Sequence, residues 1–580
     1  MGVLKKLAWF FKKEKWSYFF GILALLLIAI LNLLPVKIMG RVTDYIETST
    51  LTKELLFFYM FSLLAIAISV YGLRYLWRIC IFGSGMKLER KFRNDLFNHF
   101  TKMSSAFYHE NRVGDLMAHA TNDVSAIQRL AGGGILQAAD AIITGTSVLL
   151  TMAFTISIKL TLVAIIPLPL MILGSRYLGK KLHATFFKAQ EAFSEMNNRV
   201  HESVAGIKVT KAFGREEKEI EKFITETNDV DAKNMIVTRY DSMFDPLIST
   251  VVAMSFVLVF IFGLKLREIG EITTGNFMSF VTYIYYLIWP MLAFGFFYNT
   301  IERGSVAYER IEALLSIPPD ITNHENALEI EPKGKLSVNI KEFSYPDNIE
   351  LKILQNFKFD LLAGQTLGLV GRTGSGKSTL IKILLREYDN YVGKISFGEH
   401  ELAAYDIHYL RKSIGYVPQE QFLFSMSILD NIRFAKPEAS LEEVMEVAKV
   451  ASVHEDIMGF EMQYDTLIGE RGVSLSGGQR QRIAIARALL LSPELLILDD
   501  SLSAVDAKTE EAILDALKKN RKDKTTIISA HRLSAIAHAQ LILVVENGKI
   551  SERGNHHTLM EEDGWYAEVY RQQELSKESK

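Results

Sequence analysis

Apolar residues gather into six long runs in the first half of the chain and into short runs in the second, so the two halves read as different kinds of structure. The long runs cover about Tyr18–Ile38, Phe57–Phe82, Ile135–Ile156, Leu160–Leu178, Pro246–Leu264 and Phe277–Tyr298. Each approaches or exceeds the ~20 residues a helix needs to cross ~30 Å of hydrocarbon, and six transmembrane helices are predicted. Lys5, Lys6, Lys12, Lys13 and Lys15 precede the first run, which places the N-terminus in the cytoplasm. Six crossings return the second half to that same side. The first run passes into Leu33-Leu34-Pro35 without a small-residue cleavage site, so it is expected to be retained rather than cut as a signal peptide. Residues 1–16 set Leu4, Leu7, Trp9, Phe10 and Phe11 among lysines and read as an interfacial helix.

The connections alternate in length. Segments 83–134 and 179–245 are long, charged and helical in pattern, whereas 39–56, 157–159 and 265–276 are short. The helix of the last span continues through Glu302–Leu315 and stops at Ser316-Ile-Pro-Pro-Asp320, because proline cannot continue it. The predicted organisation is an all-α membrane domain over 17–320, a polar linker over 321–335, a soluble α/β domain over 336–572 and a frayed polar tail over 573–580. In the soluble domain, Val338–Phe343 and Ile395–Phe397 read as strands. Thr366–Val370, Leu495–Leu498 and Thr526–Ser529 read as buried parallel strands between helices, with Leu441–Ala451 and Arg480–Leu491 as amphipathic helices.

Composition agrees with a chain that is part lipid-embedded and part soluble: 49% of its 580 residues are hydrophobic and 23% are charged. The net charge is −2, with no long basic block, which argues against nucleic acid as a partner. The single cysteine, Cys80, permits no internal disulfide and lies in an apolar helix. No metal-ligand cluster is evident. His556-His557 reads as a solvated turn near the end.

Gly371-Arg372-Thr373-Gly374-Ser375-Gly376-Lys377-Ser378-Thr379 follows the strand Thr366–Val370 and opens a helix. A strand, a glycine-rich loop and a helix N-terminus cradle phosphates with backbone N–H groups, with Lys377 reaching the outer phosphates and the Ser378 hydroxyl available to Mg2+. Asp499 and Asp500 end the apolar run Leu495–Leu498. Asp499 completes the expected metal site. Asp500 stands where an ATPase of this layout carries the carboxylate that orients or deprotonates water, and it is one methylene shorter than glutamate. Retraction by roughly 1 Å can cost on the order of a hundredfold in rate.

Leu475-Ser476-Gly477-Gly478-Gln479 lies between these elements. With the loop, the order and the spacing, the chain resembles one half of an ATP-binding cassette (ABC) exporter, from about Ser17 to about Tyr570. The resemblance implies cassettes that dimerise head to tail, with Leu475, Ser476, Gly477, Gly478 and Gln479 of each chain closing over ATP held by the other. It implies that Tyr345, in Phe343-Ser-Tyr345, stacks on adenine, and that Gln419 contacts Mg2+ and water. It implies, too, that His531 meets the γ-phosphate and that Ser503-Ala-Val-Asp506 joins the two sites. Asp506 is equally suited to cap a helix starting at Ala507. Phe107–Leu116, with Gly114 and Asp115, resembles the first intracellular coupling segment. Glu202–Glu216, with Gly206 and Phe213, resembles the second.

Asp140 in the third span and Asp245 at the mouth of the fifth need a reason, since a charge at membrane depth costs a few kcal/mol or more. Each either lines a polar cavity that attracts cations or pairs with an arginine near the boundary. Tyr283, Trp289 and Phe294 belong to an aromatic surface on the sixth span, suited either to bulky amphipathic substrates or to a lipid-facing girdle.

With Asp500 in place of glutamate, a homodimer would hold two slow sites. The expected assembly is a heterodimer whose partner supplies a catalytic glutamate, and the wording Asp500–Asp506 resembles the C-type subunits of heterodimeric bacterial multidrug exporters such as the EfrCD and LmrCD pairs. The expected function is ATP-driven export of hydrophobic or cationic amphipathic compounds across the cytoplasmic membrane. A lipid or peptide exporter and an ATP-gated regulator are the alternatives.

Overall fold

A computed structural model describes residues 2–469 and 475–578. It divides into two compact units, one formed by the chain up to His99 with Gly114–Ile317, the other by Phe100–Val113 with the chain from Pro318 onward.

The first unit is helical. Among the described residues, six helical stretches are long and apolar enough to cross a membrane: Lys15–Glu47, Lys53–Phe100, Val113–Ile156, Ile158–Ala205, Glu216–Glu268 and Thr274–Leu315. They contain the predicted runs and extend well beyond them. The fourth stretch breaks at Ile166-Pro167 between Ile158–Ile165 and Leu168–Ala205, where proline lacks the N–H that would continue the ladder. The sixth breaks at Leu287, with Pro290 in the first turn of the following helix, Ile288–Leu315. Around this break the first and sixth spans are bonded side chain to backbone, Tyr283 Oη donating to Leu33 O (2.9 Å) and Ser279 Oγ to Val36 O (3.1 Å). Their backbones then nearly touch: a Cβ on Gly275 would lie 1.9 Å from Gly40 O, so only glycine fits.

Long helices turn over on short ones. Leu168–Ala205 and Glu216–Asp241 are joined through Ile207–Ala212, with Gly206 at the cap and Gly214 at φ +59° supplying the left-handed residue of the return. The N-terminal segment forms Gly2–Lys6 and Ala8–Lys13 ahead of the first span. Val3, Leu7 and Phe10 are buried inside this unit, and Lys6 pairs with Glu312 at 2.5 Å. Part of the apolar face read as interfacial is therefore covered by protein, while Trp9 and Trp16 stay exposed.

The second unit is α/β. Its strands are β1 (Leu336–Phe343), β2 (Leu354–Leu361), β3 (Thr366–Val370), β4 (Val392–Phe397), β5 (His400–Glu401), β6 (Ile414–Val417), β7 (Leu495–Asp499), β8 (Thr525–Ser529), β9 (Leu541–Glu546) and β10 (Lys549–Gly554). Among the described residues two sheets form, ordered β2-β1-β4-β5 and β10-β9-β3-β8-β7-β6. The first is antiparallel. In the second, β6, β7, β8, β3 and β9 run parallel, and their continuous apolar sequences are buried on both faces. Each fully buried Leu, Ile or Val contributes about 1.5–3 kcal/mol. The parallel arrangement sets the ends of β3, β7 and β8 side by side, which brings together the loops that leave them.

Residues 321–335 are pinned to this unit. Asn323 Oδ1 accepts from Ile407 N (2.9 Å), and main-chain bonds join Leu328 to Ala404 and Asp406. The buried Arg386 reaches Thr322 O. The short helix Ser105–Glu110 also belongs here: Ala106 packs on the core under β1–β4, and Ser104 Oγ donates to Asp320 (2.6 Å). The closing helix runs Trp565–Glu578, so residues 573–578 of the segment read as a frayed tail are helical.

Candidate functional site

The loop after β3 is shaped by close approach. Gly371 has φ +146° and a Cβ there would lie 2.1 Å from Val545 O; Gly374 and Gly376 have φ +79° and +107°. Only glycine meets these conditions without strain, and the result is a tight turn delivering Lys377 to the N-terminus of the helix Lys377–Leu384. Lys377 is buried, its Nζ donating to Gly371 O (2.8 Å) and Arg372 O (3.1 Å). Burial pushes its ammonium below the usual lysine range, an effect opposed by the nearby Asp499 and Asp500 carboxylates. Ser375 Oγ is buried with no hydrogen-bond partner. Arg372, Thr373 and Ser378 are exposed.

Asp499, the buried last residue of β7, stands opposite Ser529 of β8. Asp500 follows at φ +45°, a left-handed conformation that aspartate tolerates better than most side chains. Its N–H donates to Ser529 O (2.8 Å), and its Oδ2 accepts from Gln419 Nε2 at 3.4 Å. Gln419 follows β6, and the exposed His531 follows β8. The structure thus brings Lys377, Asp499, Asp500 and Gln419 together at one end of the parallel sheet.

Tyr345 hydrogen-bonds through Oη to Thr379 Oγ1 (3.0 Å), packs edge-on to Phe343 and Tyr388, and has Lys382 Nζ 5.9 Å from its ring centre. The ring is held next to the glycine-rich loop rather than free at a strand end.

Ser476 caps the helix Gly477–Leu490 by a reciprocal box: Ser476 Oγ accepts Gln479 N (3.2 Å) and Gln479 Oε1 accepts Ser476 N (3.0 Å). Leu475 is buried. The helix begins three residues earlier than the expected Arg480, so Gly477 and Gly478 are its first turn. Gly478 fits closely under the loop after β7, where a Cβ would lie 3.1 Å from Ala504 O.

Two family models match the sequence: the ABC transporter transmembrane region over residues 18–291 and the ABC transporter model over residues 354–503. Full-length relatives agree. A multidrug resistance-like ATP-binding protein MdlA of Buchnera aphidicola is 44% identical over 580 residues, covering 100% of this chain and 99% of the relative. The chain belongs to the ABC transporter family. The Escherichia coli MdlA is 42% identical, covering 99% of this chain and 97% of its own. The probable multidrug resistance ABC transporter ATP-binding/permease protein YheI of Bacillus subtilis is 41% identical, covering 99% and 98%. Among solved structures, a bacterial Atm1-family ABC exporter with ATP bound superposes with a TM-score of 0.80 at 25% identity, over 96% of this chain and 99% of that one. This ABC transporter is a multi-pass membrane protein with an ATP-binding cassette, and it couples ATP hydrolysis to export.

Within the ABC transporter's membrane unit the expected cavity residues part company. Tyr283 is buried and bonded to the first span, which removes it from any cavity surface: its aromatic body fills the packing between spans. Asp140 accepts from Trp289 Nε1 (3.0 Å) and from Thr144 Oγ1 (3.1 Å), so its partner is an indole and a hydroxyl, not an arginine. Trp289 is half exposed. Asp245 is exposed in the first turn of Phe244–Glu268. The side chain of Phe294 lies outside the described residues. Gly114 and Asp115 open the helix Val113–Ala118, and Phe213 is 75% exposed at the turn it was expected to occupy.

Three side chains at the site escaped sequence reasoning. Gln481 clasps the loop after Asp500, Arg532 donates to Val505 O of that loop and to Glu510 of the helix that follows it, and Gln573 holds the loop carrying His531 from the closing helix. All three act on groups distant in sequence, for which a motif gives no signal. Asp506 does cap Ala507–Asn520, accepting Thr509 N at 3.0 Å. His556 is half buried against Tyr566 Oη (2.9 Å) rather than solvated, because the closing helix folds over it. Among the described residues no cluster of His, Cys, Asp or Glu could hold a metal ion by itself.

Proposed function

We propose that this chain is one half of a heterodimeric exporter of hydrophobic or cationic amphipathic compounds across the cytoplasmic membrane. In this reading the N-terminus and the cassette are cytoplasmic. ATP lies on Gly371–Thr379 with Lys377 at its outer phosphates and Tyr345 beside adenine; His531 meets the γ-phosphate. Leu475–Gln479 serves the opposite site, on the partner's nucleotide. Residues 336–572 form the cassette, and the turns at Gly114-Asp115 and at Gly206–Phe213 carry its movements to the membrane helices.

The residues around Lys377 suit a magnesium nucleotide. Ser378, Gln419 and Asp499 offer a hydroxyl, an amide oxygen and a carboxylate, the hard oxygen donors Mg2+ takes. The orphaned Ser375 Oγ and the glycine-shaped turn fit a phosphate cradle. When bound, Mg2+ neutralises phosphate charge as the terminal phosphoryl group leaves. The chain's own contributions are separate: Lys377 places a buried positive charge, and Asp500 and Gln419 orient the water.

The observation that carries the heterodimer is Asp500. Its carboxylate is a methylene short of glutamate and is tethered weakly, by one 3.4 Å contact to Gln419. A slow base beside an intact Ser476 capping box favours unequal sites, with this chain's signature completing a competent site on a partner that has glutamate. The multidrug-resistance names of the relatives and the Asp140–Trp289 pair support an amphipathic, cationic substrate.

Purification after expression alone and with candidate partners, followed by mass measurement and ATPase assay, tests this. The expected result is a one-to-one pair that hydrolyses ATP much faster than this chain alone. A fully active homodimer would overturn it.

A further inference from the structure

We infer that Gln573 is a positioning residue for His531, so that the closing helix is part of the nucleotide switch; this rests on the reading that His531 meets the γ-phosphate. The inward stripe of the helix Trp565–Glu578 carries Tyr566 and Tyr570, packed on the cassette core, and its next turn would ordinarily carry another apolar residue. It carries Gln573 instead. Its Oε1 accepts from Leu533 N (2.9 Å) and its Nε2 donates to His531 O (2.9 Å).

An uncharged amide is the side chain with an acceptor and a donor side by side, and here it matches a C=O and an N–H two residues apart. Leu533 opens the 3-10 turn Leu533–Ala535, so its N–H is one of the groups such a turn leaves unpaired. From the other side, Arg532 Nη1 donates to Glu510 Oε2 (2.9 Å) and to Val505 O (3.3 Å). The backbone at 531–533 is thereby gripped on both flanks while the imidazole of His531 stays exposed. A histidine held this way presents its ring in a fixed direction. Released from Gln573, it would present the same ring over a range of positions, and a phosphate contact loses strength steeply with misplacement.

The consequence is a selective one. His531 concerns only the γ-phosphate, so losing its positioning should weaken ATP binding and leave ADP binding untouched. A residue that merely stabilised the cassette would weaken both.

The test uses the full-length protein with Gln573→Met, which keeps the length and packing of the side chain but neither bond, and Gln573→Glu, which keeps an acceptor for Leu533 N and sets a carboxylate against His531 O. His531→Ala is the control. Affinities for ATP and ADP at this chain's loop are measured by competition against a photoreactive ATP analogue, with amide hydrogen exchange over 528–536 measured alongside. We expect Gln573→Met to speed exchange at 531–533 and to lower the ATP-to-ADP preference by on the order of tenfold, as lost hydrogen bonds do. Gln573→Glu should lower the preference likewise but, keeping the acceptor for Leu533 N, should change exchange less, and the rest of the closing helix should remain protected in both variants. An unchanged preference in both variants, while His531→Ala reduces it, would overturn the role of Gln573. Equal loss of ATP and ADP binding would overturn it as well. An unchanged preference in His531→Ala would instead overturn the γ-phosphate reading on which it rests.

Discussion

Gln481 Oε1 accepts the main-chain N–H of Ala504 at 3.1 Å, which fastens the helix that begins at Ser476 to the loop that leaves Asp500. Gln481 is buried; its Nε2 also approaches Ser503 Oγ (3.5 Å), and Ser503 Oγ donates to Asp500 O (2.9 Å). In the proposed head-to-tail pair these two elements would face different nucleotides, and this one side chain would connect both sites through a path of three bonds. Gln481→Leu preserves volume and removes the path. It should cost roughly 1–3 kcal/mol of cassette stability, read as a lower denaturation midpoint, and should lower ATPase activity more than ATP affinity. Full activity in this variant would show that the clasp is only structural.

The part of the site that could be read from sequence is the part made by local chain geometry. β3 is Thr366–Val370 as the apolar run predicts, β7 and β8 differ from their runs by one residue, and the glycines at 371, 374 and 376 adopt the positive φ a phosphate loop needs. The strands β2, β5, β6, β9 and β10 are not among those the sequence predicts, in part because β10 exposes alternate residues and has no apolar run and β5 and β6 are only two and four residues long. Gln481, Arg532 and Gln573 bond groups 22 to 42 positions away, which no window along the chain contains. Tyr283 looked like a cavity residue because aromatic content marks a surface without saying which way it faces; its hydroxyl contact with Leu33 O settles the direction.

Lys377→Ala should weaken ATP binding by roughly 1.5–3 kcal/mol, the worth of a charge-assisted phosphate contact. The pH dependence follows from its environment. Burial lowers the Lys377 pKa, so the ammonium is lost at a lower pH than for a free lysine, and nucleotide favours the charged form. ATP affinity should therefore fall as pH rises into the alkaline range, and Lys377→Arg, which keeps its charge there, should flatten that fall. Titration of ATP binding against pH in the two proteins is the measurement.

Gly477 and Gly478 separate folding from function. A Cβ on Gly477 would meet only Ala504 Cβ at 3.6 Å, an ordinary contact, whereas one on Gly478 would press on Ala504 O at 3.1 Å. Gly477→Val should fold normally and still nearly abolish turnover of the assembled transporter, because in the proposed pair the side chain would enter the space for the opposing γ-phosphate. Normal thermal unfolding with retained ATPase activity would remove the signature from the site.

Asp500→Glu tests the short carboxylate, and the backbone adds a condition that the sequence did not disclose. Glutamate supplies the missing methylene and brings the base forward by roughly 1 Å, which can be worth on the order of a hundredfold. Yet position 500 is left-handed, at φ +45°, where aspartate is at home and glutamate less so. The variant must either accept that strain or shift the loop, and the bonds that residue 500 accepts from Ser503 Oγ and donates to Ser529 O oppose a shift. The net gain should therefore be smaller than the carboxylate alone allows, about tenfold rather than a hundredfold. It should also depend on the partner's signature, since a correctly placed base cannot compensate for transition-state charge left unstabilised. The informative background is a pair whose partner carries glutamine in place of its catalytic glutamate, so that residual turnover reports on this chain's site. Low turnover with Asp500 that rises in Asp500→Glu supports unequal sites. High turnover with Asp500 would mean that aspartate is already an adequate base, and the argument for an obligatory heterodimer would fail with it.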